Sequence, residues 1–368
     1  MSPLPAQSIA VVYGTRPEMI KLAPLVELLG RDARLIHTGQ HFDAELSANI
    51  AADIGLPDPH HRVEIGGKSR ASQIGSALIG IESHLAKASA VIVQGDTNSS
   101  LAGAIAANSL EIPLFHVEAG LRSFDRRMPE EHNRVLIDHV ADMCWAPTDG
   151  NVKNLLNEGV DSERIEQTGN PIIEAMTRIL PGPDEQRARC ERLGLGGESF
   201  VLATIHRPEN VDSPSRLRDI LEGLSEISLP VVLPLHPRTA ASIETHGLES
   251  TMEGIKTIPS VGYRDFLSLL SRCVLAVSDS GGIQEEVSIL KIPLIVVRRS
   301  TERPEVLGTF ATLLSDPGQI PIEAEKIIDS REHLMARLHD LGSPFGDGHA
   351  SERMHLSLRR FLDSTSTG

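Results

Sequence analysis

Aromatic side chains are scarce: eight Phe, two Tyr and one Trp make up 3% of the chain. Cores must therefore be built from Leu, Ile, Val and Ala, and an aromatic platform for stacking bases is not expected. Positive charge is short too, with 35 Lys and Arg against 50 Asp and Glu. The formal net charge of −15 argues against a nucleic-acid surface, although a few converging Arg and Lys can still hold phosphate in a pocket. The three Cys, at 144, 190 and 273, have neither disulfide nor metal-ligand spacing and read as reduced thiols. No run reaches the roughly 18 apolar residues that span a bilayer. The start, MSPLPAQSIAVVYG, lacks a basic leader and runs straight into a strand and a Gly turn. A cytoplasmic chain without membrane contact is expected.

What is present is a rhythm. Short apolar, β-branched runs occur at 9–13, 34–38, 90–94, 114–117, 200–205, 231–235, 274–278 and 294–297. Most are continuous rather than alternating, which fits strands buried on both faces of a parallel sheet. Between them, helices are expected at about 17–30, 71–87, 99–108, 131–140, 214–226 and 282–290. This β-α-β order predicts an α/β fold of two Rossmann-like, doubly wound domains facing a cleft, with right-handed crossovers. A length of 368 residues allows two domains of roughly 170 residues each. The expected division is 1–170, joined by a returning C-terminal helix in 351–368, and 171–350. Such sheets bind ligands at the carboxyl ends of their strands.

In the first half, Gly14-Thr15-Arg16-Pro17-Glu18 follows the first strand, and Lys21 lies one turn into the next helix. That helix N-terminus, with Arg16 and Lys21, is expected to favour an anion. No GxGxxG dinucleotide fingerprint is present there. The third strand ends at Asp96 and the fourth at Glu118. Glu130 and Glu131 open the next helix, with Arg134 one turn on. Any one of these acids serves as an ordinary helix cap, but three from successive strand-to-helix regions suggest one substrate face.

In the second half, His206-Arg207 and His236-Pro237 each follow a strand. The run Ser278-Asp279-Ser280-Gly281-Gly282 then opens a helix with small residues, which on physical grounds is a diphosphate cradle. Glu286, one turn in, is placed to accept hydrogen bonds from a ribose.

The stretches GTRPEMIKLAPL, HTGQHFD, GDTNSSLAG, HVEAGLRS, PEEHNR, TGNPIIE, HRPEN, DSGGIQEE and TERPE run in this order from residue 14 to about 305. Together they resemble the non-hydrolysing UDP-N-acetylglucosamine 2-epimerases. The resemblance implies a glycosyltransferase-B-like homodimer that uses a UDP-sugar and UDP and needs no cofactor, neither NAD nor metal. It implies reversible inversion at C2 by loss and re-addition of UDP through a 2-acetamidoglucal. Asp96, Glu118 and Glu130 match the catalytic carboxylates, with His206 in the same set and Arg134 close by. Arg16, Lys21, His206, Ser280, Gly281 and Gly282 would hold the diphosphate. Phe266 would pack on uracil, Glu286 would bind ribose, and His236 belongs with the substrate contacts. Gln40, Arg70, Glu131 and Arg207 match part of the regulatory site of allosteric members. Pro208 and Asp43 depart from that pattern, so hyperbolic kinetics are expected. The sequence leaves open a related UDP-sugar, such as a UDP-2,3-diacetamido uronic acid, and more distantly a glycosyltransferase of the same fold.

Overall fold

A computed structural model describes residues 8–40, 51, 53–65, 69–197 and 199–366. The first strands are β1 (Ser8–Tyr13), β2 (Ala33–His37), β3 (His61–Arg62), β4 (Ala88–Gln94), β5 (Leu114–Val117), β6 (Met143–Ala146) and β7 (Ile165–Gln167). They are followed by β8 (Val201–Thr204), β9 (Val231–Leu235), β10 (Ile255–Pro259), β11 (Leu275–Ser278), β12 (Leu294–Val297) and β13 (Ala311–Leu314). Among the described residues they form one sheet in the order β3-β2-β1-β4-β5-β6-β7 and a second in the order β10-β9-β8-β11-β12-β13. Neighbours pair in parallel throughout. Both sheets step outward in one direction and then cross back to start the other half, which is the doubly wound order.

Continuous apolar runs give these strands because helices cover both sheet faces. In the first sheet, Ala10, Val12, Val91 and Val93 enter one core, while Ile9, Val11, Ala90 and Ile92 enter another. Successive side chains thus alternate between two buried faces, so no polar alternation is needed. The second of these cores also takes in Met354 and Leu358 of the final helix Ala350–Ser366, and Trp145 Nε1 donates to Ser357 Oγ at 3.0 Å. The six-stranded sheet has its own core around Val201, Ala203, Leu217, Val231 and Val277.

The chain divides into two compact units, Met1–Ile179 with Phe345–Gly368, and Leu180–Pro344. The boundary thus falls beyond residue 170, because the helix Ile172–Ile179 packs on the helix Arg16–Leu29 and buries Ile172, Ala175, Met176 and Ile179. The return comes at Phe345 rather than 351, since its carbonyl accepts from Asn170 N at 2.8 Å. Strands β3, β6, β7, β10 and β13 lie outside the apolar runs read from the sequence. They are short or half-exposed: β3 has two residues, and β10 buries two of its five.

Candidate active site

In the first sheet the winding reverses between β1 and β4, so a ligand site is expected outside their carboxyl ends. Gly14 follows β1 where the chain is crowded: a Cβ there would lie 2.2 Å from both Ser99 Oγ and Thr38 Oγ1. Thr15 and Glu18 form a capping box on the helix Arg16–Leu29. Glu18 Oε2 accepts from Gly14 N at 3.0 Å and Thr15 N at 2.7 Å, and Oε1 accepts from Thr97 and Ser100 hydroxyls at 2.9 Å each. Burial raises the Glu18 pKa against these hydrogen bonds. The helix start expected to favour an anion therefore already carries the chain's own Glu18, bonded to the backbone just ahead of it.

Lys21, on the same helix, turns to Glu118 instead. Its Nζ lies 2.5 Å from Glu118 Oε1, with both side chains buried. Asn170 Nδ2 donates to the same oxygen at 2.8 Å, and the Gln94 amide donates to Oε2. Glu118 follows β5 with φ of 66°, a left-handed conformation that costs a residue with a Cβ about 1 kcal/mol or more. Gly120 follows at φ 81°, where a Cβ would meet Asn151 O at 2.4 Å. The segment after β5 is therefore held in one unusual shape by its surroundings.

Gln94 at the end of β4 pairs with Val117 at the end of β5. Asp96 and Glu118 thus leave the sheet on adjoining strand ends. Asp96 Oδ2 accepts from Arg134 Nε at 3.1 Å and is bridged by Arg134 Nη2 as well. Asn133 Nδ2 donates to the Asp96 carbonyl at 2.8 Å. Arg134, buried on the helix Pro129–Val140, also pairs with Glu131. Glu131 in turn accepts from Ser123 N and Phe124 N at 3.0 and 2.8 Å, so it fixes the loop ahead of its own helix. Glu130 lies on the first turn of that helix and is exposed.

In the second sheet the reversal falls between β8 and β11, whose ends pair as Thr204 and Ser278. Asp279 is buried behind this point. It accepts from His206 N at 3.0 Å, Arg207 N at 2.9 Å and Asn210 Nδ2 at 2.9 Å, and lies 3.2 Å from His206 Nδ1. Burial pushes its pKa up, but His206, Asn210 and the backbone donors outweigh that and hold it below the usual range. A carboxylate on one ring nitrogen orients the half-exposed His206 imidazole, the arrangement used to aim a general acid or a phosphate ligand. His236 caps the helix Pro237–His246 and stands 5.4 Å from His206, ring to ring.

Ser280 is the N-cap of the helix Gly281–Leu290. A Cβ on Gly281 would lie 2.8 Å from both Arg303 Nη1 and Glu302 Oε1, whereas at Gly282 it would meet nothing within 4 Å. The first glycine serves packing, and the second leaves the helix start open. Beneath it, Arg303 Nε pairs with Glu285 at 2.6 Å and Arg298 with Glu302 at 2.8 Å. Glu286 Oε1 accepts from the buried Tyr263 hydroxyl at 2.8 Å, and burial followed by the Glu286 charge drives that phenol's pKa well up. Phe266 is half-buried on the same helix as Tyr263, Tyr263–Arg272.

The residues matched to a regulatory site hold other parts of the chain. Gln40 accepts from Ser99 N and Oγ at 3.0 and 2.7 Å, Arg70 donates to Asn133 at 2.7 Å, and Arg207 lies 3.7 Å from Glu302. Asp43 lies outside the described residues. The three Cys are buried, and burial pushes the Cys273 thiol up to about 12. No helix among the described residues is long and apolar enough to cross a membrane.

Two doubly wound sheets, each with charged or small residues gathered at its switch point, define a two-domain Rossmann-like protein of the glycosyltransferase-B class. The family described as UDP-N-acetylglucosamine 2-epimerase matches residues 28–359. Over 361 residues the chain is 39% identical to the UDP-N-acetylglucosamine 2-epimerase of Methanocaldococcus jannaschii, covering 94% of this chain and 97% of that one. It is 38% identical over 359 residues to the UDP-2,3-diacetamido-2,3-dideoxy-D-glucuronate 2-epimerase of Pseudomonas aeruginosa, covering 94% and 98%. The crystal structure of the M. jannaschii enzyme in complex with UDP-GlcNAc and UDP matches with a TM-score of 0.87 at 38% identity, covering 96% and 100%. The chain belongs to the UDP-N-acetylglucosamine 2-epimerase family, and it is an enzyme of the isomerase class.

Proposed function

We propose that this protein interconverts UDP-N-acetylglucosamine and UDP-N-acetylmannosamine, inverting C2 by anti elimination and re-addition of UDP. The observation that carries this reading is the pair of carboxylates on adjoining strand ends, Glu118 against Lys21 and Asp96 against Arg134. The C2 hydrogen beside an acetamido group is only feebly acidic. Breaking the C1–O bond as a carboxylate takes that proton forms a C1–C2 double bond and sends the bonding pair off with UDP. Returning a proton to the other face of C2 while UDP re-attacks C1 completes the inversion. No net oxidation occurs.

In this reading Asp96, Glu118 and Glu130 handle the proton, with Arg134 holding Asp96 in place. Arg16, Lys21, His206, Ser280, Gly281 and Gly282 stabilise the departing diphosphate, and each such donor is worth about 3 kcal/mol in a transition state. Phe266 packs on uracil, Glu286 takes the ribose, and His236 belongs with the substrate contacts. The enzyme is expected to act as a cytoplasmic homodimer.

The test is one tube of purified enzyme with UDP-N-acetylglucosamine in D2O, followed by NMR. Deuterium is expected at C2 of the UDP-N-acetylmannosamine formed, with a little free UDP and glycal. Retention of protium at C2 in the epimerised product would overturn the mechanism. The 38% identity to the P. aeruginosa uronate epimerase favours a second reading, in which the substrate is a UDP-2,3-diacetamido uronic acid. Offering both sugars in the same assay separates the two.

A further inference from the structure

His116 ends in neither of the two ion pairs described above, yet it lies directly beneath both. It sits on β5, fully buried, two residues before Glu118. Its Nδ1 is 2.6 Å from Asp138 Oδ1, and its Nε2 is 2.8 Å from the carbonyl oxygen of Gly95, the residue before Asp96. Asp138 Oδ2 accepts from Gly120 N, two residues after Glu118, at 3.1 Å, and lies 2.7 Å from Arg122 Nη2. One His–Asp pair therefore reaches from the backbone just ahead of Asp96 to the backbone just past Glu118.

The chemistry of the acceptors fixes the ring. A peptide carbonyl has no hydrogen to give. Asp138 faces the Arg122 guanidinium at 2.7 Å and accepts from Gly120 N, the setting of an ionised carboxylate that can only accept. Both nitrogens of His116 must then donate, which only the imidazolium form can do. The charges balance: His116 and Arg122 are answered by Asp138 and by Glu158, which accepts from Arg122 Nε and Nη2 at 2.8 and 2.6 Å.

We propose that His116 is a doubly protonated positioning residue, a crossbar between Gly95 and Asp138 that sets the separation of Asp96 and Glu118. The segments it joins need such a constraint. Gly95, Glu118 and Gly120 all adopt left-handed backbone, at φ 69°, 66° and 81°, and such turns persist only when their surroundings over-determine them. A displacement of roughly 1 Å between reacting groups costs on the order of a hundredfold in rate. The crossbar's role in turnover rests on the reading of Asp96 and Glu118 as the proton-handling groups.

Two variants cut the crossbar at opposite ends. In His116→Gln the amide nitrogen reaches the place of Nε2 and keeps the bond to Gly95, and in His116→Asn it takes the place of Nδ1 and keeps the bond to Asp138. Both are expected to lower kcat by about tenfold to a hundredfold, while KM and UDP affinity by calorimetry change less than about twofold, because the His116 ring is fully buried and bonded to Gly95 and Asp138. The wild-type protein supplies an independent readout. In its imidazole 15N spectrum at neutral pH, assigned by backbone-to-ring correlation, both His116 nitrogens should carry hydrogen. A neutral ring, or unchanged kcat in both variants, overturns the proposal, and the spectrum alone decides should a variant fail to fold. If the wild-type enzyme does not exchange C2 of either UDP-sugar yet His116 is an imidazolium, the functional reading has failed and not the crossbar's protonation.

Discussion

Asp96 and Glu118 are neighbours with different surroundings, and that difference predicts different mutants. Asp96 is nearly a third exposed and shares Arg134 with Glu131. Asp96→Asn keeps its shape and leaves Arg134 a remaining anion, so its melting temperature should stay near wild type. Its turnover should fall at least the roughly hundredfold that a positioned acid or base contributes. Glu118→Gln instead takes the carboxylate out of a buried ion pair with Lys21, whose side chain is 4% exposed. Removing one partner of a buried pair costs about 3 kcal/mol or more, so this variant should lose both turnover and stability. Steady-state rates and thermal melts on the two proteins check the contrast, and near-normal turnover in Asp96→Asn would return that residue to a helix-end role. The acids themselves were legible in the sequence because each ends a β-branched run. Their partners were not: Asn170 is 52 residues from Glu118, and Asp279 is 73 from His206. Hydrogen bonds over such distances exist only once the sheet has set its strand order. Glu18 is legible as part of a motif but not as the acceptor of Gly14 N and Thr15 N.

Among the elements, the best-read strands were those that need no help from their neighbours. Runs 114–117, 231–235 and 294–297 match β5, β9 and β12 to the residue. Each carries Val, Ile or Leu through a sheet buried on both sides. Met143–Ala146 escaped because its run, MCWA, has no β-branched residue, and Ile165–Gln167 because it has three residues, none fully buried. The helix Gly281–Leu290 was expected from its small residues, yet its two glycines differ in a way that only packing reveals. Gly281→Ala should push against the buried Arg303–Glu302 pair and destabilise by about 1–3 kcal/mol, as overpacking commonly does. Gly282→Ala meets no atom of the chain and replaces a helical glycine, so the fold should hold or gain up to about 1 kcal/mol. If a diphosphate sits over that helix start, the added methyl stands in its way, and UDP affinity should drop about tenfold, roughly the 1.4 kcal/mol that a modest clash represents. Calorimetric titration of both variants with UDP is the measurement. Full affinity in Gly282→Ala would remove the phosphate from this helix.

For the whole molecule, histidines kept neutral by desolvation, His37 above all, set how the fold responds to acid. His37 is buried at the end of β2, and burial followed by the Arg62 charge lowers its pKa from the usual 6.5 to about 4. Partial desolvation lowers the half-buried His61 and His355 and the exposed His60 in the same direction, with neighbouring Arg or His charges adding to it. Each of these rings binds its proton more readily in the unfolded chain than in the folded one. Unfolding then takes up protons as pH falls below 6.5, and stability declines across the window from about 6.5 to about 4. His37 alone can account for about 3 kcal/mol of that loss at most, given 1.36 kcal/mol per unit. Asp138 and Asp279, held below the usual carboxylate range, add a further loss only at lower pH, as they take up protons below about 4. Glu18 acts in the opposite sense: its raised pKa makes the folded state bind the proton more tightly, so its contribution improves as the solution is acidified. His37, buried and shifted to about 4, sets the slope. The denaturant midpoint should therefore fall steadily between pH 7 and pH 5, well before ordinary carboxylates titrate. Replacing His37 by Gln, which cannot take up a proton, should flatten that slope even if it lowers the midpoint at pH 7. A midpoint that holds constant from pH 7 to pH 5 in the wild-type protein would show that these rings do not govern its acid stability.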